Sequence, residues 1–184
     1  IGADKHGDVT VSMDGNIAVG SANGEAYGMM ADDDSEIHIT GAKAMTVSAD
    51  ADEAYGLYSA RGSVISGDIQ SIGVTANSDE AHGIIANKGG EVTLTGLENL
   101  SVTSLSDDAD GIIANKGGNV DLAMDSDITV TGGLDANGII ANKGGEVTVT
   151  GLHDLTVTAQ NGDANGVIAN KGGDVDLTLM TDGS

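Results

Sequence analysis

The segment Gly83-Ile84-Ile85-Ala86-Asn87-Lys88-Gly89-Gly90 returns at 111–118 and at 138–145. It returns again as Gly166-Val167-Ile168 and on through 173. Looser copies begin at Gly28 and Gly56, so the anchoring glycines are spaced 28, 27, 28, 27 and 28 residues apart. A unit this short cannot bury its own apolar residues. Copies at a fixed period must stack on one another. A partial copy opens the chain, where 3–9 parallels 86–92. The boundaries run approximately 1–25 (partial), 26–53, 54–80, 81–108, 109–135, 136–163 and 164–184 (partial), all within one domain spanning 1–184.

Each copy carries three short β-type runs, for example 83–86, 91–95 and 100–103. The second and third alternate apolar and polar residues with the period of a strand. Clusters of Gly, Asn and Asp separate the runs and supply turns. No helical period is sustained. The expected fold is all-β: a parallel β-helix of about six to seven coils, each of 27–28 residues with three short strands. It should be right-handed, the default for parallel crossovers. At the ~4.8 Å strand spacing it forms a rod roughly 30 Å long. Neither end shows a polar cap, so both look cut from a longer rod.

Composition fits a thin core. The chain has 29 Gly and no Pro, Cys, Trp or Phe, and its only aromatic residues are Tyr27, Tyr55 and Tyr58. Stacked Ile, Val and Leu can fill a narrow solenoid without the large rings that fill a globular core. Seven Lys and Arg stand against 29 Asp and Glu, a net charge of -22. That field makes nucleic acid and anionic membrane poor partners. No apolar run reaches the ~20 residues of a membrane span, so this segment does not itself insert. Without Cys there is no disulfide or thiolate chemistry.

Aligned copies give columns. The acidic column holds Glu25, Glu53, Glu80, Asp108, Asp135 and Asp163. Carboxylates stacked at ~4.8 Å repel by about 1 kcal/mol per pair in water. Something must offset that: the lysine column, turn amides, or bound Ca2+. These six are therefore candidate calcium ligands, with a hydrogen-bonded or solvated turn as the plainer reading. No other cofactor is indicated.

The lysine column holds Lys5, Lys88, Lys116, Lys143 and Lys171, with Arg61 in one copy. An asparagine column (Asn87, Asn115, Asn142, Asn170) precedes it and is expected to hydrogen-bond from coil to coil through its amides. The glycine pairs that follow suit a corner with positive backbone angles.

Two residues after each acid lies a variable position: Tyr27, Tyr55, His82, Asp110, Asn137 and Asn165. Variation beside a regular frame marks either a recognition position or a free surface one. The candidate binding residues are Tyr27, Tyr55, Tyr58, Arg61 and His82. Two apolar columns follow the anchoring Gly, one from Met29 to Val167 and one from Met30 to Ile168. Either the Gly bends the chain and both are buried, the simpler packing, or one forms an exposed stripe.

Catalysis has little footing. The four His occupy different columns, no nucleophile-base-acid order stands out, and no loop breaks the repeat to form a groove. Stacked pairs such as Thr129/Thr131 hint at an ice-binding ladder, but Ala18 and Gly73 interrupt it.

The repeated Ala-x-Gly-Ile-Ile-Ala-Asn-Lys-Gly-Gly segment, together with the Gly/Asn/Thr/Val composition and the missing Cys and Pro, resembles the passenger region of bacterial autotransporters and related type V secreted adhesins. The resemblance implies an extracellular rod at the bacterial cell surface, with an outer-membrane barrel elsewhere in the parent chain. Its partner would be a host-surface glycan or protein, or another copy of itself. A passive stalk that displays a distal domain is the alternative.

Overall fold

The structure is a computed structural model and describes residues 1–180. In chain order its strands are β1 (Gly2–Asp4), β2 (Asp8–Ser21), β3 (Ala26–Asp32), β4 (Glu36–Ala49), β5 (Ala54–Ala60), β6 (Val64–Ala76), β7 (Ala81–Asn87) and β8 (Glu91–Ser104). They continue as β9 (Ala109–Asn115), β10 (Asn119–Gly132), β11 (Ala136–Asn142), β12 (Glu146–Leu152), β13 (Leu155–Ala159), β14 (Ala164–Asn170) and β15 (Asp174–Leu179). No described residue is helical. All pairings are parallel, between equivalent residues of successive copies, such as Ile84 with Ile112 and Val92 with Val120. The chain is thus a parallel β-solenoid, with a partial coil (β1–β2) followed by six coils that begin at β3, β5, β7, β9, β11 and β14.

Two sheets form the walls. The first stacks the short strands in the order β1-β3-β5-β7-β9-β11-β14. The second stacks β15-β12-β10-β8-β6-β4-β2, with β13 beside β10. The three expected runs per coil resolve into two strands, because the second and third runs join. They form one long strand of 13 or 14 residues, bent at a register shift near its middle. The reason is local. In β4 and β8 a glycine at positive φ (Gly41 at 74°, Gly96 at 70°) sits at that shift, and in β6 Gly67 at 133° lies just before it. Among the described residues, the strand divides in the fifth coil alone, into β12 and β13.

The core lies between the walls. Along β7 and β8 the buried chains are Ala81, Ile84, Ala86, Val92, Leu94, Leu97, Leu100 and Val102. The first wall contributes one large apolar residue per coil, flanked by Ala. The two walls therefore approach closely, and a core without Phe or Trp fills. The anchoring glycine sits where they touch. A Cβ on Gly83 would lie 2.4 Å from the Gly111 carbonyl oxygen and 2.7 Å from Val102 Cγ2.

That glycine also decides the fate of the two apolar columns. It lies outside the paired register, and the in-out alternation shifts phase there. Leu57, Ile84, Ile112 and Ile139 are fully buried. Met30, Tyr58, Ile113, Ile140 and Ile168 are half-buried on the outward side, and Ile85, beside Tyr58, is buried. Of the two arrangements the sequence left open, burial of both columns by a bend, the simpler packing, is not the one adopted: the second column is an outward apolar row, half-buried except at Ile85.

Candidate functional site

The outer face of the first wall carries the candidate binding residues, Arg61 in the turn at its edge and the others on the face itself. Its centre is the variable column, which is continuous. Tyr27 and Tyr55 stack, and Tyr55 in turn stacks on His82 with ring centroids 5.0 Å apart and planes 25° from parallel. Tyr58 meets both tyrosines edge-on, at 6.1 and 5.9 Å. All three aromatic residues of the chain thus form one cluster on two adjacent coils. Beyond His82 the column turns polar. Asn137 Nδ2 donates to Asp110 Oδ1 at 2.9 Å, and Asn165 Nδ2 donates to Asn137 Oδ1 at 3.0 Å.

His82 joins the two halves. It is buried, with Nε2 3.1 Å from Glu80 Oε2 and Nδ1 3.2 Å from Asp110 Oδ2. The Nδ1 contact lacks hydrogen-bond alignment, so the attraction there is electrostatic. Burial works against the imidazolium, but Asp110 first, then Glu80 and Glu53, outweigh it and leave the His82 pKa raised. Burial likewise raises the carboxyl pKa of Glu80.

The acidic column divides at the same point. In the first coils Glu is long enough to reach the ring two residues on. Tyr27 Oη donates to Glu25 Oε2 at 2.8 Å, and Tyr55 Oη donates to Glu53 Oε2. Burial and these carboxylates hold both phenols well above the usual tyrosine pKa. In the later coils the shorter Asp caps the turn of the next coil. Asp135 N–H donates to Asp108 Oδ1 at 2.9 Å, and Asp163 N–H donates to Asp135 Oδ1 at 2.8 Å. Hydroxyl, imidazole and amide donors thus meet five of the six carboxylates.

As candidate calcium ligands the six do not converge as a set. Among the described residues, the one grouping of three acids close enough to share an ion is Glu80 with Asp107 and Asp108, whose oxygens lie within 4.8 Å of one another. Asp107 Oδ1 accepts the Asp108 N–H, and Asp108 Oδ1 accepts the Asp135 N–H, both at 2.9 Å. Calcium takes six to eight oxygens, more than that grouping has free.

The cation column lies along the opposite edge of the face and has an unexpected backbone. Lys88, Lys116, Lys143 and Lys171 have φ of 51–53°, and Arg61 has 52°. In each turn the cation and the next Gly are both left-handed, and the residue after them closes the turn, as Gly90 N–H does to the Asn87 carbonyl at 3.0 Å and Ser63 N–H to the Ala60 carbonyl at 3.2 Å. This is the two-residue turn with positive φ at both central positions. The left-handed residue is thus the Lys, and not the Asn of the preceding column. The Asn amides also form no ladder: the Oδ1 atoms of Asn87, Asn115 and Asn142 are buried without a partner. The column works through its carbonyls instead. Lys88 N–H donates to Asn115 O, and Lys116 N–H to Asn142 O, both at 3.1 Å.

Arg61 is the one member tied to an acid. Its Nε donates to Asp32 Oδ1 at 2.6 Å, and its Nη2 meets Asp32 Oδ2, which raises the Arg61 pKa further. The lysines are exposed, with no carboxylate within 4 Å among the described residues.

Of the candidate binding residues, Tyr27, Tyr55, Tyr58 and His82 cluster on the outer face of the first wall, and Arg61 lies in the turn at its edge. Sequence reasoning missed the Asp110–Asn137–Asn165 ladder, although a signal was present. Glu-Ala is followed by Tyr, Tyr and His, whereas Asp-Ala is followed by Asp, Asn and Asn. No protein-family model, curated protein or solved structure matches the chain.

Proposed function

We propose that this chain is an attachment module of a secreted surface rod, an adhesin or self-associating passenger of the type V kind, and that it binds through the outer face of its first wall. One observation carries the reading. The chain's three aromatic side chains, its one buried histidine and its outward apolar row all lie on a single long face. Clustered aromatic residues supply large contact area at low conformational cost. The described residues enclose no pocket, so recognition here means contact with an extended surface: a glycan chain, a protein face or another rod. Weak contacts repeated from coil to coil add up through multivalency. The rod is a binding element in this reading and carries no catalytic role.

The test is bead-borne. Beads coated with the protein are offered to mucin, matrix proteins and epithelial cells, and bead-to-bead clustering is scored alongside. Retention or clustering should fall in Tyr27→Ala/Tyr55→Ala and persist when Thr129 and Thr131, on the other wall, are both replaced by Ala. If the beads neither cluster nor adhere to any surface, the passive stalk is the better account.

A further inference from the structure

The outer face of the first wall is charged oppositely along its two edges. The acidic column borders one edge and the cation column the other, and both run the length of the rod at the coil spacing. Members of each column reach onto the face itself. Glu25 and Glu53 bind the hydroxyls of the outward tyrosines, and Arg61 pairs with Asp32 at the end of outward-facing β3. Between the edges runs the half-buried apolar row with Tyr58, Ile113 and Ile140.

The charge pattern selects a partner. Two such faces can meet in two simple ways. If the rods run antiparallel, acid edge meets acid edge and lysine edge meets lysine edge. If they are related by a two-fold axis along the rod, each acid edge lies on a lysine edge. Building on the reading that this face is the binding one, we propose that it is the interface of a parallel, two-fold dimer of this chain.

In that dimer each coil meets its own copy. Glu53 faces Arg61, Glu80 faces Lys88, Asp108 faces Lys116, Asp135 faces Lys143 and Asp163 faces Lys171, on both sides of the axis. The variable column lies on the partner's apolar row, which sets Tyr55 against the partner's Tyr58. Self-complementary contact of this kind is the ordinary form of a two-fold interface.

The lysines themselves argue for the role. A left-handed position costs an ordinary residue roughly 1–2 kcal/mol and suits Gly or Asn. Four coils nonetheless place Lys there with no intramolecular acid to hold it. A seven-residue strand at ~3.3 Å per residue and six coils at ~4.8 Å give a face of roughly 650 Å2. The usual stable interface buries about 800 Å2 per partner, so the dimer belongs at the weak end of that class. The first full coil breaks the rule, since Asp33 stands in its cation column and would face Glu25.

Sedimentation of the full chain over a concentration series tests the proposal. The wild type should dimerise. Lys88→Glu/Lys116→Glu/Lys143→Glu alters only exposed side chains and should weaken dimerisation about 100-fold, with an unchanged circular dichroism melt. Asp33→Lys should strengthen it about threefold. For orientation, single-cysteine proteins are mixed with a short bis-maleimide. Leu134→Cys should cross-link to Lys143→Cys, and Lys88→Cys should not cross-link to Lys116→Cys.

A monomer at every concentration overturns the proposal, as does a dimer indifferent to the triple variant or one with the opposite cross-link. A monomer whose lysine row retains an acidic polysaccharide overturns it too. Bead retention on mucin or cells by a strictly monomeric protein would remove the dimer and leave the attachment reading standing. A dimer without retention on any host surface would narrow that reading to self-association.

Discussion

Tyr27 and Tyr55 stack with ring centroids 4.6 Å apart and planes 3° from parallel, one coil separating them in the fold and 28 residues in the chain. The parallel register fixes this contact, because equivalent positions on adjacent strands sit one strand spacing apart. Each hydroxyl is held by the Glu two residues before it, so the rings are oriented at both ends.

Tyr55 is the middle plane of the stack, with Tyr27 on one face and His82 on the other. Tyr55→Ala removes both contacts. Aromatic pairs contribute about 0.5–1.5 kcal/mol each beyond area, so a loss of roughly 2–3 kcal/mol is expected with the buried area included. Tyr55→Phe keeps the stack and loses only the bond to Glu53, a loss of about 1 kcal/mol. Urea unfolding followed by tyrosine emission reads both, because the chain has no Trp to mask it.

His82 makes the stability of this face depend on pH. Its folded pKa is raised, since Asp110, Glu80 and Glu53 outweigh the opposing effect of burial. The folded state then holds the proton more tightly than the unfolded chain does. The stabilisation is present below the ordinary value near 6.5 and is lost as pH rises through the raised folded value. The urea midpoint should therefore fall as pH climbs from about 6 to about 8. In His82→Gln that window should be flat. A midpoint that rises with pH in the wild type would refute the assignment.

These two side chains also show what could be read before the structure. Stacking of Tyr27 on Tyr55 followed from the repeat alone, because any fixed-period solenoid aligns equivalent residues. The role of His82 did not, since it depends on which way the ring faces after the phase shift at Gly83, a conformation no composition rule reports. The same shift turned the Met30-to-Ile168 column outward, the less simple of the two arrangements that the sequence left open. The lysine column was legible as a row of charge. Its left-handed backbone was not, because Lys is an uncommon choice for that geometry.

The anchoring glycine and the turn glycine should respond differently to a methyl group. On Gly83 it would meet the Gly111 carbonyl oxygen at 2.4 Å, Val102 Cγ2 at 2.7 Å and Leu100 Cδ1 at 3.1 Å. Backbone lies on one side and packed core on the other, so Gly83→Ala should cost about 3 kcal/mol or more. On Gly117 the methyl meets nothing within 4 Å, and only the φ of 74° opposes it. Gly117→Ala should cost about 1 kcal/mol. Thermal melts of the two variants compare the effects directly, and equal losses would mean that the walls do not approach as described.

The capping aspartates predict how the rod responds to calcium. Asp108 and Asp135 each accept a backbone N–H from the next coil. Removing one such cap leaves a turn amide without its charged acceptor, and Asp135→Ala should cost about 1–2 kcal/mol. If the cap is the whole of the role, that loss is the same in millimolar calcium and in chelator, and the wild-type melt does not move between the two. A wild-type melting temperature that falls in chelator, with Asp135→Ala insensitive to it, would instead make Asp135 an ion ligand. Differential scanning calorimetry of both proteins under both conditions separates a column held by its own amides from one held by metal.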